Sequence, residues 1–183
     1  MPGVPHALEL LLDDDLDDRV RRAWDLLAAA ALPSQARHPH PTNRPHVTLA
    51  VAESLDDAAR ARVRAELEAL PLALCLDALV VLGARRRTVA WLVVPSEALL
   101  RLHRGLHEAA RVGSSGPPLL RPDRWVPHVT LAARMDDKQA GAVVAALAGL
   151  PAASGTADAA RSYDTVARTT STLARGARAT GCL

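Results

Sequence analysis

The chain has 183 residues, 49% of them hydrophobic, and a formal net charge of +2 from 22 basic and 20 acidic side chains. That length suits one compact domain or two small fused lobes, and that charge is too balanced to argue for bulk nucleic-acid binding. No apolar run is long enough to span a membrane, and with no Phe, one Tyr and three Trp the core must be filled by Leu, Val and Ala.

In chain order, residues 6–12 (HALELLL) form an apolar run that reads as a strand. Residues 16–32 read as a helix with Val20, Trp24, Leu27 and Ala31 on one face, and the aspartates at 13–18 sit where a helix dipole favours negative charge. Pro33 ends that helix. A proline-rich loop follows over 34–45, carrying His38, Pro39, His40, Pro41 and Asn43. Residues 46–52 read as a strand. Ser54 to Asp57 form an N-terminal capping pattern for a helix that runs to Leu70 and is stopped by Pro71. Residues 72–82 read as a strand, 83–87 as a basic turn, 88–94 as a strand and 96–112 as a helix capped by Ser96. A Gly-, Ser- and Pro-rich loop spans 113–127. A strand opens at 128, Asp136 and Asp137 start a helix to Leu150, and 155–163 and 169–173 are weaker strand candidates before a frayed end.

The two cysteines, Cys75 and Cys182, are far apart and show no metal-ligand spacing. With no secretory pattern at the start, a reduced, cytoplasmic protein is expected.

One hexapeptide occurs twice. Pro45-His46-Val47-Thr48-Leu49-Ala50 recurs as Pro127-His128-Val129-Thr130-Leu131-Ala132. Sliding the chain by that offset superposes nearly the whole chain: strand on strand, helix on helix, loop on loop, with only 169–173 left over. The chain is therefore a duplication of a β-α-β-α-β unit, too long to be a solenoid repeat. It predicts an α+β fold of two pseudo-symmetric lobes, about 1–83 and 84–183, with antiparallel-rich sheets flanking a central cleft.

Side chains alternate along a strand, so His46 and Thr48 share one face while Val47 and Leu49 take the other. The second copy repeats this. One imidazole near neutral pKa can act as base while its partner, protonated, acts as acid. Threonine hydroxyls can donate to anionic oxygens. Two of each suit a phosphodiester, with a proton moved at the attacking and at the leaving oxygen and no metal or other cofactor required.

Two H-x-T-x motifs at this spacing in a bilobal α+β chain resemble the 2H phosphoesterase superfamily. The resemblance is closest to its bacterial and archaeal 2′-5′ RNA ligase / RNA 2′,3′-cyclic phosphodiesterase branch and covers most of the chain. It implies hydrolysis of a 2′,3′-cyclic phosphate end to a 2′-phosphate, with 2′-5′ joining in some members. It implies His46 as proton donor to the leaving 3′-oxygen, His128 as acceptor from water, and Thr48 and Thr130 as the phosphate clamp. Near-symmetry gives no independent handle on which histidine is acid and which base.

Members often stack a base on an aromatic ring. Trp125, three residues before His128, is the best-placed candidate here, with Tyr163 next. Arg44 and Arg124 precede the motifs and are candidate substrate contacts. His103 and His107 have i, i+4 metal-ligand spacing, but no third ligand accompanies them, and they read as a surface pair. Arg85 to Arg87 read as a hairpin turn, and Trp24 and Trp91 as core. The expected partner is an RNA end or a small nucleotide carrying a cyclic phosphate, and the expected state is a monomer. A small cyclic nucleotide-like phosphate, or a 2′-5′ oligonucleotide, is an alternative substrate. A non-catalytic nucleotide- or RNA-binding protein is the alternative of another class; binding alone does not call for two imidazoles.

Overall fold

The computed structural model describes residues 5–112 and 117–176. Cys182, the frayed end expected after residue 175 and part of the 113–127 loop lie outside the described residues. The elements follow the duplication: β1 (His6–Leu12), α1 (Asp14–Ala29), β2 (His46–Ala52), α2 (Asp57–Glu66) and β3 (Leu72–Leu82), then β4 (Arg87–Val93), α3 (Glu97–Ala109), β5 (His128–Met135), α4 (Asp137–Leu147) and β6 (Ala153–Asp164), with β7 (Thr169–Arg175) appended. This is the α+β architecture the sequence predicts.

Each helix starts on a side-chain cap. Asp13 accepts from the Leu16 N–H, Asp56 from Ala59, Ser96 from Leu99, and Asp136 from Gln139, whose own side chain accepts from the Asp136 N–H. The cap of α2 is thus Asp56 rather than Ser54. Asp13 also accepts from the Thr156 hydroxyl at 3.0 Å and from the Thr156 N–H, so the same carboxylate anchors α1 to β6.

All strand pairs are antiparallel, in the order β1-β2-β5-β4-β3-β6-β7, and β6 also pairs with β1, closing six strands into a ring. The repeats are exchanged within it. The last strand of the first repeat, β3, pairs with β4, and the last strand of the second, β6, pairs with β1. The repeat boundary near residue 83 is therefore no boundary in the sheet. Each half borrows its closing strand from the other, because the 83–86 turn is short enough to fold β3 back onto β4 as a hairpin. Among the described residues no helix is long and apolar enough to cross a membrane.

The core is made of Leu, Val and Ala with three tryptophans, and Leu10, Leu12, Val47, Leu49, Val129 and Leu131 are fully buried. At the centre, β2 and β5 meet at one registered pair, Val47 opposite Val129, and then diverge. Divergence strips backbone carbonyls of strand partners, and buried carbonyls need donors. Three side chains supply them. Trp24 Nε1 donates to Thr130 O at 3.0 Å, Trp125 Nε1 to Thr48 O at 3.2 Å, and His107 Nε2 to Leu49 O at 3.2 Å.

This corrects two readings. His103 and His107 are buried, not a surface pair; His103 is 1% exposed and stacks on Trp125 with ring centroids 3.8 Å apart. Trp125 is itself 9% exposed, so its ring face is spent on His103 rather than offered to a base. Both belong to the packing that holds the diverging edge of β2.

Two outcomes follow from this packing. Trp125→Phe keeps an aromatic face for His103 but deletes the N–H donor to Thr48 O and part of the buried ring; chemical denaturation should show a loss of at least about 1–3 kcal/mol. Burial, with His107 nearby, lowers the His103 pKa to about 4, whereas the unfolded chain takes up that proton near 6.5. Below 6.5 the unfolded state binds more protons, so stability should fall as pH drops from about 6.5 toward 4. A denaturation midpoint unchanged across that window would contradict a neutral, buried His103.

Candidate active site

The alternation expected for the hexapeptides holds in both copies. Val47, Leu49, Val129 and Leu131 are buried, and His46, Thr48, His128 and Thr130 are half-buried. The Val47–Val129 register then fixes who faces whom. In an antiparallel pair the flanking positions are cross-strand neighbours, so His46 stands beside Thr130 and Thr48 beside His128. The two histidines occupy one diagonal of this square and the two threonines the other, roughly 7–8 Å corner to corner. The imidazoles are close enough that a positive His46 depresses the pKa of His128.

Both rings are tethered alike. His46 Nδ1 lies 2.7 Å from Arg44 O, and His128 Nδ1 lies 2.7 Å from Val126 O. A carbonyl only accepts, so Nδ1 carries the proton in each ring. That leaves Nε2 as the nitrogen free to exchange a proton. Burial, more than any neighbour, pushes His128 below the ordinary histidine value, with the Val126 carbonyl partly opposing it. A neutral Nδ1–H imidazole with a free Nε2 lone pair is a proton acceptor.

His46 has a different neighbour. Glu9 Oε1 lies 3.6 Å from His46 Nε2, and Glu9 Oε2 accepts from Arg161 Nε at 2.7 Å. Arg161 also donates to Thr42 O at 3.0 Å, pinning the 34–45 loop. The pairing explains the placement: Arg161 of β6 is opposite Glu9 of β1, which is opposite Thr48 of β2. A row Arg161–Glu9–Thr48 therefore crosses three strands and ends beside His128. On the other side of the centre the positions in register with Thr130 are Ala90 and then Val80. The site is symmetric in its hexapeptides and asymmetric in its flanking charge. Sequence reading missed Glu9 and Arg161; a glutamate inside the otherwise apolar run HALELLL was the available signal.

A cavity of about 620 Å³ opens at this centre, lined among others by Glu9, His46, Thr130, Arg134, Arg161 and Tyr163. Its opposite wall is the proline-rich loop, including Gln35, Arg37, His38 and Asn43. The Asn43 amide donates to Gln35 O and the His40 ring meets the Thr42 hydroxyl at 2.7 Å, so the loop is internally braced. His128 and Thr48 are not among the lining residues; they stand on the far side of the same square. Arg44 lines the cavity, but its guanidinium is held by Asp17 at 2.9 Å and Leu12 O at 3.2 Å. Arg124 is exposed and does not line the cavity. Tyr163 does, where Trp125 was expected. Among the described residues no group of three or more His, Cys, Asp or Glu side chains is placed to hold a metal ion.

Known proteins share this architecture. At 15% identity, Escherichia coli LigT in its apo form matches with a TM-score of 0.60 over 96% of this chain and 97% of that one. LigT complexed with 3′-AMP matches at 12% identity with a TM-score of 0.52 over 94% of each chain. Kluyveromyces marxianus Usb1 matches at 12% identity with a TM-score of 0.55 over 93% of this chain and 98% of that one. At such identities these likenesses speak to fold. No curated protein sequence matches the chain. The family model of the 2′-5′ RNA ligase superfamily matches residues 12–167, a span that runs through both hexapeptides and all four helices. The chain belongs to the 2′-5′ RNA ligase superfamily, the 2H phosphoesterases.

Proposed function

We propose that this protein is a phosphodiesterase that opens a 2′,3′-cyclic phosphate, at an RNA end or on a small nucleotide, to a 2′-phosphate. The observation that carries the reading is the diagonal placement of His46 and His128 across one Val47–Val129 pair, each ring tethered through Nδ1 so that Nε2 is left to exchange a proton. A phosphorus centre above that pair has an imidazole on each side and a threonine hydroxyl beside each imidazole. In an in-line displacement the attacking and leaving oxygens lie on opposite sides of phosphorus, which is where the two imidazoles stand.

The step proceeds as follows. His128 Nε2 takes a proton from water as its oxygen bonds to phosphorus. The bond from phosphorus to the ribose 3′-oxygen breaks, and His46 Nε2–H delivers its proton to that oxygen. Thr48 and Thr130 donate to the non-bridging oxygens, where charge builds in the transition state. The roles are not interchangeable. Burial disfavours a charged His128, and the Glu9 carboxylate stands beside His46 alone, its Oε1 3.6 Å from His46 Nε2. Acid and base are both imidazoles, so no metal enters the step.

The cavity beside His46 is of a size that takes a small organic ligand. Tyr163 offers a ring edge or face to a base there, and Arg37 and Arg134 offer cations to a phosphate or sugar. LigT has been solved with 3′-AMP, a nucleotide of that size. A small cyclic nucleotide therefore remains the second reading, favoured by the cavity's volume over a long polymer track.

Adenosine 2′,3′-cyclic phosphate and an oligoribonucleotide with the same end should both yield a 2′-phosphate product, with chelator present. Failure to open either phosphate would sink the enzyme reading. His46→Ala and His128→Ala should each lower kcat by roughly 10²- to 10⁴-fold with the unfolding midpoint retained. Because burial holds His128 low, the acid limb of the kcat/KM profile should have its midpoint below the ordinary histidine value of about 6.5. An acid limb above that value would deny His128 the role of base.

A further inference from the structure

The Glu9–Arg161 pair neither gives nor takes a proton in the proposed step, although its carboxylate stands beside His46. Glu9 is 5% exposed and Arg161 9%, yet both line the cavity that opens at the catalytic square. A buried carboxylate beside a phosphate site is costly on its face, since it repels the substrate. Arg161 compensates the charge at 2.7 Å, and the pair as a whole is neutral. The cost is lowered but not erased, because the carboxylate is the member aimed at the centre. Its Oε1 lies 3.6 Å from His46 Nε2, while Arg161 sits one strand farther out and spends NH1 on Thr42 O.

What such a carboxylate does depends on the charge of the anion facing it. A cyclic phosphodiester carries one negative charge. The monoester formed when it opens carries nearly two above its second pKa of about 6. Coulomb repulsion scales with charge, and in a buried site it is weakly screened by salt. Resting on the phosphodiester reading, we infer that Glu9 is a specificity residue that biases the site against the doubly charged monoester, favouring release of product over its retention. His46 and the threonines draw in either anion; Glu9 taxes the second charge. On the other side of the centre the positions in register with Thr130, Ala90 and Val80, carry no charge, so the bias acts from one side.

The scaling makes the inference quantitative. Replacing Glu9 by Gln removes one negative charge and changes the potential at the phosphate by a fixed amount. The monoanion gains that potential once and the dianion twice. The gain in affinity for the monoester should therefore be the square of the gain for the cyclic diester. A gain of about threefold for the diester would go with about ninefold for the monoester.

The test is calorimetric binding of adenosine 2′,3′-cyclic phosphate and adenosine 2′-monophosphate, above the second phosphate pKa. The His128→Ala background prevents turnover. Glu9→Gln should tighten both, the monoester by the square. Arg161→Gln should weaken both, again with the monoester changing by the square, and it keeps the inference testable if the Glu9 variant does not fold. The double variant, which removes both charges, should leave the ratio shifted toward the monoester, by less than Glu9→Gln alone, because the carboxylate is the nearer of the two charges. In the otherwise unaltered enzyme, Glu9→Gln should lower the product inhibition constant more than KM. Equal changes for both probes, or a Glu9→Gln protein that loses affinity for both, overturn the inference and leave the phosphodiester reading standing. Binding of neither probe by any form overturns both.

Discussion

The molecule depends on one strand contact, Val47 against Val129. Two strands that paired along their length would bury their edges in each other and leave a continuous sheet. Two strands that never touched would leave the histidines unrelated. Meeting at one pair and then diverging does something else. It fixes the diagonal geometry of four polar side chains and opens room beside them for a ligand. The divergence has its own cost, in carbonyls without strand partners, and Trp24, Trp125 and His107 meet it with N–H donors. The scarce aromatic residues of this chain are thus used where the duplicated halves join. Two of the three tryptophans cap motif strands, and Trp91 lies in β4, opposite Val129.

Symmetry brings the two hexapeptides together, and departures from symmetry differentiate them. Identical letters, identical Nδ1 tethers and identical strand positions give two equivalent rings. In the proposed mechanism one ring is acid and the other base, so they must differ. Burial acts on His128 and lowers its pKa, and the Glu9 carboxylate stands by His46. The second difference arises in β1 and β6, strands the exchange of closing elements brings next to β2. Had each half closed on its own last strand, Arg161 would have no Glu9 to face. The exchange therefore shapes the chemistry as well as the fold.

Much of the fold was legible in the chain itself. Strand and helix periodicity, proline stops and acidic caps located nearly every element, because those signals act within a few residues and tertiary contacts reinforce them here. The readings that failed share a cause. His103 and His107 looked like a surface pair because histidine at the edge of an apolar stripe is often solvated; only the diverging edge of β2 gives them carbonyl and ring partners to bury against. Trp125 looked free to stack because it precedes His128 in the chain, and its N–H was claimed by a carbonyl 77 residues away. Arg44 looked like a substrate contact, and Asp17 in α1 holds it. In each case the deciding partner was distant in sequence.

By itself the sequence determined the duplication, the order of elements, the two polar motif faces and, through resemblance, the superfamily. Those are local or self-comparing properties, written in letters a few residues apart or at one fixed offset. Only the tertiary structure decided that the faces meet on a diagonal, that β3 and β6 change places, and that Glu9 and Arg161 stand beside His46. Those are matters of strand register and neighbour choice. Register is set by which edges remain to be satisfied after every strand has competed for a partner, and no segment carries that outcome alone.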